Sequence, residues 1–386
     1  MSAPLEPAGV APVGAGLEAL AAWTRDAVAA ELARHLPRNP PASWVAETIG
    51  ERFLPVDLEA VRRTVAEPIW EFLDRGGKRW RPMLMVLACA AAGGRPDWAR
   101  GFLLVPEMLH NGTLMVDDVE DGSQQRRGQP AAHVLHGMDV ALNAANLMYF
   151  LPMIVAGRAV EQLPHGTAAL QCAVLQRISQ EMLRVHFGQA QDIAWHAKPG
   201  AGATATERSG AAEMDAKIAV SEAVYLRMCA LKTGSLARLA MALGALVGQA
   251  EADTVEALAE LGEVMGVAFQ IQDDLLNLSA APQLGKTFGD DIAEGKLSLP
   301  VIHALRALPE SRRQRLLNIL AMCPTPADAI AEAVDSITAS GAQQTAARVA
   351  RELVAAAWSR VRQLLPESPA RDRIAELAAF LVERSY

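Results

Sequence analysis

The chain is poor in aromatic residues: Trp, Tyr and Phe together make up 5% of 386 residues. It has no sustained stretch in which apolar and polar residues alternate, which excludes a sandwich or barrel built from amphipathic strands. Its four cysteines, Cys89, Cys172, Cys229 and Cys323, lie far apart with no C-x-x-C pair. That excludes a zinc ribbon or a disulfide scaffold and leaves buried thiols in a reducing compartment, so a cytoplasmic location is expected. Excess positive charge is also missing. A formal net charge of −8 argues against a nucleic-acid partner. No basic segment followed by an apolar run opens the chain, and the terminal Glu383-Arg384-Ser385-Tyr386 carries no prenylation signal.

One uncharged run, Val140–Gly157, reaches 18 residues, the shortest length that could span a bilayer. It contains Asn143, Asn146 and Pro152 and directly follows a highly polar motif. The expectation is therefore a fully buried helix within a bundle and no integral membrane segment.

What remains is a helical composition. Hydrophobic residues make up 51% of the chain, with Ala, Leu, Arg, Glu and Met prominent. The spacing predicts an all-α fold. Residues 1–41 read as an N-terminal extension: a disordered Ala/Pro/Gly-rich start, then an amphipathic helix over Leu17–Leu36, either docked on the body or at a subunit contact. Residues 42–386 read as one all-α domain, with helices over Val56–Asp74, Arg81–Ala92, Trp98–Val116 with a kink at Pro106, Leu142–Val160, Thr167–Trp195, Glu222–Leu246 and Ala252–Leu278. Further helices run to the C-terminus, and Ala197–Ala212 reads as a long small-residue loop.

Charge is concentrated in one stretch, Leu109 to Pro130. It sets Asp117, Asp118, Glu120 and Asp121 within five residues and follows them with Arg126 and Arg127. On a helix, D-D-x-x-D places Asp117 and Asp121 one turn apart on one face. Two hard carboxylates at that spacing suit Mg²⁺, which takes few protein ligands and completes its shell with water and phosphate oxygens. The two arginines can grip phosphate in a bidentate manner. Taken alone, a solvated acidic turn before a basic loop is the competing reading.

A second acid pair, Asp273-Asp274, sits inside the apolar FQIQDDLLNL, where unpaired carboxylates would be costly. Asn277 stands one turn after Asp273, where a third carboxylate would complete a second pentad, and its amide oxygen can still serve Mg²⁺. Basic residues supply the complement: Lys78, Arg79 and Arg81 in GGKRWRP, Lys232 before Thr233 in LKTGS, and Lys286 and Lys296 in LGKTFGDDIAEGKLSLP. His110 falls two helical turns before Asp117 on the same face. Each of these alone reads as an ordinary surface or core residue. Together they outline places for two diphosphates, one clamped by metal and one held by cations.

These motifs, in this order, resemble the trans-prenyl diphosphate synthases of the polyprenyl synthetase family. The resemblance runs from about Pro55 to Leu305 through GGKRWRP, DDVED…RRGQP, KTGSL, FQIQDD and the GK…GK pair before Leu299-Pro300. LNAANLMYF, LRVHFGQAQDIAW and DDLLNL resemble the eukaryotic-type geranylgeranyl diphosphate synthases, in which an Asn also ends the second acid motif.

The resemblance implies an isoprenoid-synthase helical bundle around a central cavity, a homodimer, and isopentenyl and allylic diphosphates as substrates. Asp117, Asp121 and Asp273 would hold about three Mg²⁺ ions on the allylic diphosphate, with Asp118 and Asn277 in support. Arg126, Lys232, Gln270 and Lys286 would hold that diphosphate. Lys78, Arg81, His110 and Arg127 would hold isopentenyl diphosphate. Thr233 would sit against the reacting carbons, and Lys296 would close the site. The long N-terminal extension and the Ala197–Ala212 loop depart from the pattern without touching a motif.

Product length should follow what lies one turn deeper than Asp117, roughly 5–6 Å along the helix. Gly112 and Thr113 are small, which leaves the tube open beyond farnesyl. Leu109 and Met108 come next, with Tyr149 and Phe150 as floor candidates. Geranylgeranyl diphosphate is the expected product, and Gly112→Tyr or Gly112→Phe should shorten it to farnesyl. Two other readings share the fold. A terpene cyclase has no use for the intact isopentenyl set Lys78, Arg81, His110 and Arg127. A regulatory subunit could lose its acid motif, and DDVED is complete.

Overall fold

The computed structural model describes residues 10–50, 55–196, 221–279, 288–322 and 325–383. The chain forms two compact units, one of Met1–Glu181, Leu236–Gly262 and Val361–Leu377, the other of Met182–Ser235, Glu263–Arg360 and Ala378–Tyr386. The N-terminal extension belongs to the first unit instead of standing apart. The Ala197–Ala212 loop, Lys286 and Cys323 lie outside the described residues, as do residues 1–9.

The architecture is all-helical, and local signals set most boundaries. Gly76, at φ 81°, follows the Glu67–Asp74 helix in the left-handed conformation that a glycine reaches without strain. Thr167 accepts from the Leu170 N–H at 3.1 Å at the start of Ala168–His196, and Ser221 accepts from the Val224 N–H at 3.2 Å at the start of Glu222–Cys229. Pro106 makes no kink. A 3₁₀ turn over Pro96–Phe102 precedes the Leu104–Glu120 helix, so the proline sits in the first turn, where an N–H has no partner to lose.

In the first unit, the N-terminal helix Leu17–His35 buries Leu20, Ala27, Val28 and Leu32 and packs on the helices Trp80–Ala91 and Leu104–Glu120. It is docked. The Leu104–Glu120 helix runs antiparallel to Met138–Glu161. Gly101 meets Ala159 at one end, and Gly112 meets Ala145, Met148 and Tyr149 further along. Small residues on both helices allow this closeness, since Ala141, Ala144 and Ala145 are all fully buried.

The Met138–Glu161 helix is long and apolar enough to cross a membrane by length and composition, as is Glu222–Val247; their apolar windows are 50% and 78% buried. The first is thus half buried, not fully. Packing on Leu104–Glu120, Ala132–His136 and Arg62–Ala66 still leaves another face out, where Phe150 is 67% exposed. Among the three described cysteines, Cys89 and Cys229 are buried as expected, whereas Cys172 is exposed.

In the second unit, glycines bring backbones together where the KTGSL segment passes its neighbours. A Cβ on Gly188 would stand 2.3 Å from the Lys232 nitrogen, and one on Gly266 would stand 2.6 Å from Gly234 Cα. Lys232 and Thr233 lie in a π-helical turn, Ala230–Gly234, a distortion found often at functional sites.

Candidate active site

In the first unit the acid motif ends its helix. The Asp121 N–H donates to the Asp117 carbonyl at 2.8 Å, and Gly122 at φ 66° closes the turn. Asp117, Asp118, Glu120 and Asp121 thus crowd the negative end of the helix dipole with no basic residue in the last turn. Such an end requires positive charge.

The chain supplies part of it through a two-residue hairpin that sequence periodicity did not reveal. Gln125 pairs with Pro130 and Arg126 with Gln129. Between the strands, Arg127 at φ 53° and Gly128 at φ 74° form a tight left-handed turn. The hairpin aims Arg126 at Asp118 Oδ1, with Nε at 2.7 Å and Nη2 at 2.5 Å, and leaves Nη2 3.5 Å from Asp117 Oδ2. Asp118 is fully buried. Burial raises its pKa, and the Arg126 partnership opposes that rise. Its second oxygen has no hydrogen-bond partner among the described residues.

Arg75, which the sequence marked only as a helix end, anchors this hairpin. It donates to the Arg126 carbonyl at 3.2 Å and the Pro130 carbonyl at 2.9 Å while Glu71 takes its other nitrogens. Asp117 is half-buried and Asp121 exposed, so both remain accessible to a metal. Among the described residues no three acidic, His or Cys side chains gather closely enough to hold an ion by themselves. A metal here has to complete its shell from water and substrate, which suits Mg²⁺.

Further back on the same helix the charge reverses. Arg127 donates to the Gly76 carbonyl and to Asn111 Oδ1 at 3.1 Å, and Asn111 is held by Glu107. His110 lies in the field of Arg81, Arg127 and Arg126. Burial and those three cations hold it well below its ordinary pKa, so it stands neutral at pH 7. Burial and the neighbouring Arg126, Arg75 and Arg79 likewise depress Arg127. Arg81 is buried against the Trp80 ring at 4.6 Å. Lys78 is exposed on the turn beside Gly77, whose α-carbon faces the Arg127 guanidinium. The four residues assigned to isopentenyl diphosphate thus share one neighbourhood, and its excess positive charge favours a polyanion.

The chain-length residues divide. Met108 and Leu109 are fully buried in the core. Gly112 is buried, and a Cβ there would come within 2.9 Å of the Tyr149 ring and 3.0 Å of the Ala145 carbonyl. It packs closely against the Met138–Glu161 helix. Thr113 is half-buried on the face shared with His110 and Asp117, its hydroxyl donating to the His110 carbonyl at 2.8 Å. Tyr149 reaches the field of Glu120 and Asp117, and burial together with those charges raises its pKa. Phe150 is largely exposed and is no floor for a tail lying along this face.

In the second unit, Asp273 is half-buried in the last turn of the Ala252–Asn277 helix, while Asp274 beside it is buried and surrounded by donors. Burial, then the charge of Asp291, pushes Asp274 above the usual carboxylate range. Lys232 pairs with Asp192, and Thr233 donates to Gln270 Oε1 at 3.1 Å. Lys296 pairs with Glu294.

Asn277 is 4% exposed, and its side-chain oxygen accepts the Asp291 N–H at 3.2 Å. The structure uses it to fasten the 289–291 turn. Asp192, Arg75 and Asp291 are the participants that sequence reasoning missed. Two of them had a signal, Asp192 within LRVHFGQAQDIAW and Asp291 within LGKTFGDDIAEGKLSLP.

A family model described as polyprenyl synthetase matches residues 62–337. A short chain isoprenyl diphosphate synthase from Methanothermobacter thermautotrophicus is 32% identical over 338 residues, covering 85% of this chain and 95% of that protein. A geranylgeranyl pyrophosphate synthase from Eremothecium gossypii is 38% identical over 241 residues, covering 62% of this chain and 69% of that one. The crystal structure of geranylgeranyl pyrophosphate synthetase from Pyrococcus horikoshii superimposes with a TM-score of 0.72 at 28% identity, over 94% of this chain and 99% of that one.

Proposed function

We propose that this chain, which belongs to the polyprenyl synthetase family, is a prenyltransferase that joins isopentenyl diphosphate to an allylic diphosphate with geranylgeranyl diphosphate as product. One observation carries the reading. One helix carries the accessible carboxylates of Asp117 and Asp121 at its end and, further back, a neutral His110 beside the cations Arg81 and Arg127 that neighbouring segments bring to it. Two diphosphates handled by opposite means, one through metal and one through protein cations, is what this condensation requires.

The chain's own groups divide the work. Asp117 and Asp121 would hold Mg²⁺ on the allylic diphosphate. Bound Mg²⁺ neutralises charge on a leaving diphosphate. Arg126, braced on Asp118, adds fixed positive charge to that leaving group. Lys78, Arg81, His110 and Arg127 orient isopentenyl diphosphate for attack on the allylic carbon. The neutral His110 donates a hydrogen bond from an uncharged ring, which does not repel the carbocation. The proton lost from the condensed product leaves with the departing diphosphate, and no side-chain nucleophile takes part.

Pairing of two copies would cover Phe150 and Ile154, which are 67% and 46% exposed one turn apart. Sedimentation of the wild type against Phe150→Glu tests it.

The test of the reaction is direct. The purified protein is given Mg²⁺, isopentenyl diphosphate and in turn dimethylallyl, geranyl and farnesyl diphosphate, and products are read by mass spectrometry. Geranylgeranyl diphosphate from one or more primers is expected. Hydrocarbon released from a primer without isopentenyl diphosphate would replace the reading by a cyclase, and activity only on adding a second synthase would replace it by a regulatory role.

A further inference from the structure

A hydrogen-bonded chain in the second unit is not explained by any motif. Tyr225, buried and 49 positions before Asp274, donates its hydroxyl to Asp274 Oδ2 at 2.5 Å. The Leu299 N–H points at the same oxygen from 3.4 Å. Asp274 Oδ1 accepts from Gln270 Nε2 at 3.0 Å, and Gln270 Oε1 accepts from the Thr233 hydroxyl at 3.1 Å.

The direction of this chain is fixed at its buried end. With two donors on Oδ2, Asp274 has only an acceptor left for Gln270, so the amide must turn its NH₂ to Asp274 and its oxygen to Thr233. Thr233 must then donate. Were the amide reversed, Thr233 would accept instead and point its proton elsewhere.

We propose that Tyr225 and Asp274 are positioning residues that fix the Gln270 amide and through it the Thr233 hydroxyl, so that threonine presents oxygen lone pairs, not a proton, to the cationic carbons of the reaction. The role rests on the condensation proposed above. It uses no titration, only the order of donors and acceptors.

Asp274→Asn reverses the chain without changing its shape. The new amide keeps its oxygen for Tyr225 and Leu299, faces Gln270 with NH₂, and forces Gln270 to turn over. The expected result is a fall in kcat of about tenfold to a hundredfold. KM for both diphosphates should stay within about twofold, and the melting curve should stay close to wild type. Thr233→Val should cost about tenfold in the native background and little in Asp274→Asn, because the hydroxyl is already misdirected.

Tyr225→Phe, a milder change that keeps the ring, should lower kcat by about threefold to tenfold in the same pattern, and it carries the test if Asp274→Asn does not fold. Native kcat in both variants, or penalties of Thr233→Val and Asp274→Asn that multiply in the double variant, would overturn the positioning role alone. A wild-type protein that condenses nothing would overturn the reaction and this role with it.

Discussion

The two acid motifs look alike as text and are stabilised in different ways. Asp117–Asp121 ends a helix, where the dipole opposes it, and the chain answers with full charges: Arg126 on Asp118, held by a hairpin that Arg75 ties down. Asp273–Asn277 also closes its helix, Ala252–Asn277, yet its buried member is answered by neutral donors from Tyr225, Gln270 and the Leu299 backbone. The first arrangement leaves two accessible carboxylates and a strong local field. The second leaves one accessible carboxylate, Asp273, and a rigid uncharged scaffold. Acidic pentads are therefore poor guides to the number of metal ligands, because an Asp that finds a protein donor is no longer available to an ion.

The sharpest test of this contrast is loss of an accessible carboxylate. Asp117→Ala should lower the condensation rate by about 10²–10³-fold at saturating Mg²⁺, with little change in the melting curve. Asp121→Ala and Asp273→Ala should follow closely. Chelation should stop turnover yet leave the free protein's melt unchanged, because the described residues gather no complete metal site. Mg²⁺ should raise the melting temperature only when a diphosphate is present, by linkage. A rise with Mg²⁺ alone would show a preformed site and break the comparison.

Asp118 should behave differently from its neighbours. Asp118→Asn removes the charge on which Arg126 rests, leaving a guanidinium that is only 25% exposed with Asp117 at 3.5 Å as its nearest anion. Discounted for that exposure, the cost is about 2 kcal/mol of stability. Activity should fall with it, since Arg126 loses its aim. Denaturant titration and initial rates together check this, and a variant as stable as wild type would mean that the hairpin holds Arg126 unaided.

Helix placement was legible because its signals are local: Gly76 past one end, Thr167 and Ser221 before others, proline in first turns. The order of the charged motifs was legible as well. What escaped depended on a partner far along the chain. Two-residue strands carry no period, and Arg127-Gly128 was the hairpin's one trace. Tyr225 and Asp274 are 49 residues apart.

Gly112 looked like a vacancy beneath the aspartates because smallness in a sequence does not say which neighbour needs the space. The face shared with Asp117 passes through Thr113 instead. Thr113→Phe should therefore shorten the product toward farnesyl diphosphate with the fold intact. Gly112→Phe should instead disrupt the packing on Met138–Glu161 and yield little soluble protein. Mass spectrometry of the Thr113 variant and a melt of the Gly112 variant separate the two, and a folded Gly112→Phe enzyme with a shortened product would restore the original ruler.

The smallest effect should come from the residue that most resembles a ligand in the sequence. Asn277 stands where a third carboxylate would complete the second pentad, yet its oxygen is spent on the Asp291 N–H and its side chain is buried. Asn277→Ala should cost about 1 kcal/mol of stability through that lost bond and change the Mg²⁺ dependence of the rate hardly at all. Asn277→Asp should not tighten Mg²⁺ either. It would place a further negative charge beside Asp291, whose own charge already raises the pKa of Asp274. If Asn277→Ala instead raised the Mg²⁺ requirement as steeply as Asp121→Ala, the amide would be a ligand after all, and the two acid motifs would be alike in mechanism as well as in spelling.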